Sequence, residues 1–78
     1  MSMKFHGGIS ELKHLLDRYD IIGSWESEPN GVHMMRNADG AQLHWAAGSK
    51  TIWFSGQLAA KARLTRDVAG VLHAHDDW

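Results

Sequence analysis

Three turn signals, Pro29-Asn30-Gly31, Asp39-Gly40 and Gly48-Ser49, divide the middle of the chain into short segments of alternating hydrophobicity. Glycine and asparagine accept the positive φ that tight hairpins demand, and Asp-Gly is among the strongest hairpin signals. The pattern predicts four antiparallel strands, at about 21–28, 32–37, 42–47 and 50–55. Outside this region the period changes. Ile9, Leu12, Leu15, Leu16 and Tyr19 recur at spacings of three and four, which predicts an amphipathic helix over about 9–19. Gly8 or Ser10 would cap its start, and Gly23 lies past its end. A second helix is expected over about 57–73, its apolar stripe supplied by Leu58, Ala62, Leu64, Val68, Val71 and Leu72. Gly70, and Thr65 as an internal cap, leave a break near Leu64 open. The order helix, four strands, helix predicts an α+β fold, a two-layer sandwich with both helices over one sheet face.

Two-residue turns set a register that the hydrophobic pattern can check. They place Trp45 opposite Ile52 and Met34, His44 opposite Trp53 and Met35, and Met35 opposite Glu26. One face then carries Trp25, Val32, Met34, Leu43, Trp45, Ile52 and Phe54. The other carries Glu26, Glu28, His33, Met35, Asn37, Gln42, His44, Thr51 and Trp53. A slip of one residue would exchange the faces. Arg36 is the misfit, because this register puts it on the apolar side.

Length bounds what such a chain can do. With 78 residues it suits one small domain, which buries roughly 60% of its unfolded surface. Four tryptophans help to make a dense core at this size. There is no cysteine, which rules out disulfides and thiolate metal sites. No apolar run is long enough to span a membrane, and Met1 to Gly8 lack the plan of a secretory signal. A cytosolic protein without a cofactor is expected. Charge is uneven: Arg36, Lys50, Lys61, Arg63 and Arg66 face Asp39 alone across 31–66, within a formal net charge of −1 for the whole chain.

Several constellations could carry function. On the uncovered sheet face Glu26, Met35, His44 and Trp53 form a row, with Glu28 and His33 beside it, and an exposed Trp–Met patch of this kind suits a protein partner. The competing reading packs the second helix there and makes Trp53 ordinary core. Lys61, Arg63 and Arg66, together with an exposed Trp53, could grip a phosphate backbone and stack a base, or could be a solvated helix face. His73, His75 and Asp77 have the alternation of a metal-ligand strand, against a bland reading as a helix end with favourably placed histidines. Gly48-Ser49-Lys50-Thr51 lacks the first glycine of a phosphate loop and reads as a hairpin turn. Ser24 and Ser55 sit in no nucleophile elbow, so a non-enzymatic protein is expected.

The stretch Asp39-Gly40-Ala41-Gln42-Leu43-His44-Trp45, followed by Ser49-Lys50-Thr51-Ile52-Trp53-Phe54-Ser55-Gly56, resembles a strand hairpin of small phage and mobile-element proteins. In those a glycine turn leads to a strand ending in Trp, and a Thr-Ile-x-Phe-Gln-Gly strand follows. Here Ala46 stands where proline is usual, and Ser55 where glutamine is usual. Size, absence of cysteine and near-neutral charge are also similar to anti-CRISPR proteins. That resemblance implies an inhibitor acting in the bacterial host cytosol by occupying a surface of a larger assembly, a CRISPR–Cas effector complex. It assigns no functional residue. A homodimer through an exposed strand edge is a further expectation.

Overall fold

The computed structural model describes residues 3–76, with side chains as far as residue 74. The elements in order are β1 (Met3–Lys4), α1 (Ile9–Arg18), β2 (Ser24–Ser27), β3 (Val32–Arg36), β4 (Ala41–Ala46), β5 (Thr51–Gly56) and α2 (Leu58–Asp76). The fold is α+β: one open antiparallel sheet of five strands, ordered β1-β5-β4-β3-β2, with two helices. The expected four strands become five because β1 pairs through Met3 and Lys4 with Ile52 and Thr51 of β5. Two residues are too short to show a period.

Gly8 caps α1 in an extended conformation, and its carbonyl accepts the Leu12 N–H. The helix ends at Arg18, and Asp20 rather than Gly23 takes the left-handed position just past its end. Asp20 adopts φ 61°, its N–H bonds to the Asp17 carbonyl, and the Ile21 N–H returns to the Leu16 carbonyl. These two bonds form a Schellman cap. The cap occupies residues expected to begin the first strand, so β2 starts at Ser24.

The turns decide the register. Asn37 donates its N–H to the Ala41 carbonyl, so the β3–β4 loop holds three residues, Ala38-Asp39-Gly40, with Gly40 at φ 93°. The Glu28 N–H bonds to the Val32 carbonyl, and Pro29-Asn30-Gly31 likewise forms a three-residue loop with Gly31 at φ 83°. Three-residue hairpin loops with a left-handed last residue are a standard alternative to two-residue turns. The observed pairs are therefore His44 with Met34, Leu43 with Met35, Trp45 with His33, and Glu26 with Met34. Each loop adds one residue, and the two changes cancel between β2 and β4. Only β3 turns over. Arg36, the misfit, now pairs with Ser24 and Gln42 on the opposite face.

The β4–β5 register agrees with the sequence reading, with His44 opposite Trp53 and Trp45 opposite Ile52. The covered face contributes Met35, Ala41, Leu43, Trp45 and Ile52 to a core completed by Phe5, Leu12, Leu16, Ala60, Leu64, Val68, Val71 and Leu72. Trp45 is 1% exposed, and its indole Nε1–H donates to the Phe5 carbonyl at 3.1 Å. A buried indole N–H needs such a partner. Helix α2 is continuous, with no break at Leu64, and the Thr65 hydroxyl donates to the Lys61 carbonyl instead of capping a new segment. Leu58 and Ala62, expected in the core stripe, face outward, and Ala60 packs inward in their place.

Candidate functional site

The face of the sheet away from the core presents Glu26, Met34, His44 and Trp53 in one row across four strands. A second row, Ser24, Arg36, Gln42 and Ser55, runs beside it. Trp53 is 40% exposed there, whereas Trp45, eight residues earlier on the neighbouring strand, is sealed on the other side. Among the described residues, no side chain of either helix in the core cluster packs with this row.

Trp53 is held rather than loose. Its ring stacks on the His44 imidazole with centroids 5.2 Å apart and planes 5° from parallel. The imidazole is held in turn by Nε2, 2.8 Å from the Ser55 hydroxyl oxygen. Ser55 donates its only hydroxyl hydrogen to Gln42 Oε1 at 2.7 Å. Nε2 must therefore be the donor to Ser55, which makes His44 the Nε2–H tautomer. Burial pushes the His44 pKa below its ordinary value, partly opposed by the nearby Glu28 carboxylate. The His44 ring lies nearly parallel to that of Trp53. Met34, the third member of the row, is 8% exposed although it lies on this open side.

Two of the sequence-predicted anchors lie elsewhere. Met35 is fully buried in the core. His33 shares its face, stacks on Trp45 at 5.7 Å and bonds through Nδ1 to the Ser27 hydroxyl. Both follow from the turning over of β3, and Met34 replaces Met35 beside His44. The signal for Met34 was present in the chain: glycine closing both Pro-Asn-Gly and Ala-Asp-Gly, and an arginine that the two-residue register stranded among apolar residues. Glu26 and Glu28 remain together at the β2 edge, both exposed.

The basic residues Lys61, Arg63 and Arg66 lie on α2, across the sheet from Trp53, so the expected joint grip of these cations with Trp53 does not form. Arg63 also meets Asp39 at 3.7 Å. Of the candidate metal ligands, His73 is exposed on α2, while the side chain of His75 and the whole of Asp77 lie outside the described residues. Among the described residues no cluster of three potential ligands occurs. No described helix is long and apolar enough to cross a membrane.

Comparison with known proteins adds no relative: no family model matches the chain, and no curated protein or solved structure matches it.

Proposed function

We propose that this chain is a protein-binding inhibitor that docks the open sheet face onto a larger protein assembly, read as a phage anti-CRISPR protein on a CRISPR–Cas effector complex. On this reading the domain is a two-layer sandwich, with the helices as one layer and the sheet as the other, its outer side free for a partner. The observation that carries it is the Trp53–His44 stack, a large aromatic held at one angle on an uncovered sheet face. Tryptophan is enriched at binding hot spots, and an immobilised ring has little side-chain entropy left to lose on association. Met34, 8% exposed, backs the stack from the same row, and Glu26 and Glu28 form an acidic rim that fits cations on the partner. The inhibitor class rests on the hairpin resemblance over 39–56 and on the size of the chain.

The test is expression in a bacterium whose CRISPR–Cas system blocks a plaquing phage, with pull-down of the effector in parallel. Wild type restores plaques and captures the effector, and Trp53→Ala, folded by circular dichroism, does neither. Full activity of Trp53→Ala would remove the open face from the account. Failure of wild type to protect the phage against any effector type would remove the anti-CRISPR reading.

A further inference from the structure

Helix α2 is apolar on two sides. One side enters the core through Ala60, Leu64, Val68, Val71 and Leu72. The other bears Leu58, 79% exposed, then Ala62, Thr65 and Ala69, which line an open groove of about 340 Å³. Thr65 turns its hydroxyl to the Lys61 carbonyl at 2.7 Å, so it offers its methyl to this groove. Lys61 and Arg66 also line the groove, on opposite sides of the stripe, and among the described residues neither has a carboxylate within ion-pair distance.

We infer that this groove is a second docking surface, which takes an amphipathic helix of another protein whose apolar stripe is flanked by carboxylates. Charge selects that occupant. A second copy laid along the same stripe would bring its own Lys61 and Arg66 against these, a like-charge contact that opposes pairing. Nucleic acid would use the two cations but leave the apolar floor unmatched. Small side chains at Ala62 and Ala69 let a helix backbone approach closely. From Leu58 to Ala69 the stripe runs about 16 Å, which is three turns of a partner helix. The surface is independent of the Trp53 face, so the domain can bridge two partners.

The test is fluorescence anisotropy of the full chain with a designed helical peptide of about 16 residues, its Ala/Leu stripe flanked by glutamates, and a twin flanked by lysines. The acidic peptide binds with a Kd of roughly 10⁻⁵ M, as suits a contact well under about 1,200 Å². The lysine twin does not bind. The double variant Lys61→Glu/Arg66→Glu weakens the acidic peptide by roughly tenfold or more, and Ala62→Arg, at an exposed position where it fills the groove, abolishes binding. Trp53→Ala binds as wild type does. Equal binding of the twins, no binding of the acidic peptide, or undiminished binding by Ala62→Arg would each overturn the proposal. A concentration-dependent dimer in sedimentation that Ala62→Arg dissolves would assign the groove to a second copy and overturn it too. So would an oligonucleotide that displaces the acidic peptide.

Discussion

Met34 and Met35 are adjacent in sequence and lie on opposite faces of the sheet, so their truncation measures the register directly. Met35 is fully buried between the sheet and the helices and pairs across strands with Trp25 and Leu43. Removing three heavy atoms there leaves a cavity walled on all sides, so Met35→Ala costs about 2–5 kcal/mol. A domain of this length has roughly 4–12 kcal/mol in total. At about 4–8 °C per kcal/mol, the melting temperature falls by roughly 8–40 °C. Met34 is nearly as hidden, at 8%, but it lies on the opposite sheet face and outside the core cluster. Neighbours such as His44 and Glu26 can close over the gap, and Met34→Ala costs about 1 kcal/mol, the typical value for a point change. The assay is urea unfolding followed by circular dichroism, with unchanged m-values confirming that midpoints report stability. Equal losses, or the larger loss at Met34, would refute the three-residue loops and restore the opposite facing of β3.

Two glycines separate by conformation. Gly56 has φ 110°, and a Cβ there would collide with the Gly40 carbonyl, so Gly56→Ala costs about 2 kcal/mol or more; Gly70, in open space on α2, gains about 0.5–1 kcal/mol as alanine, both read by thermal melting. The Asn37 side-chain oxygen accepts the N–H groups of Asp39 and Ala41, so Asn37→Ala, which opens the β3–β4 loop, costs about 1–2 kcal/mol in urea unfolding. The folded His44 pKa lies below its unfolded value near 6.5, so the unfolded chain binds more protons between the two. Stability is therefore full above about pH 6.5 and declines as pH falls toward the folded pKa. A His44→Gln variant has a flatter profile over that window, measured as unfolding midpoint against pH.

The helices were legible because their apolar spacing runs for three turns or more, and β4 with β5 because the Gly48-Ser49 connection closes in the register that alternation suggests. That pairing alone puts Trp45 inside and Trp53 outside. The facing of β3 was hidden by turn chemistry: Asn-Gly and Asp-Gly each serve two-residue and three-residue loops, and the second form shifts a strand by one residue. Arg36 was the one position whose chemistry objected. Strand β1 left no trace, since Met3, Lys4 and Phe5 are fixed by contacts forty or more residues away, among them the Trp45 indole. On α2, Leu58 and Ala62 looked like core because hydrophobicity alone does not say which of two apolar stripes the sheet will cover.

The proposed docking role requires Trp53 to stack on His44 and to stay open to solvent at once. The most direct measurement is the pair of indole N–H signals of Trp45 and Trp53 in proton–nitrogen NMR spectra, recorded with and without a soluble paramagnetic agent. The Trp53 signal should broaden strongly while the Trp45 signal, bonded to the Phe5 carbonyl, stays sharp. Equal protection of the two indoles would show that Trp53 is covered and would contradict the docking face.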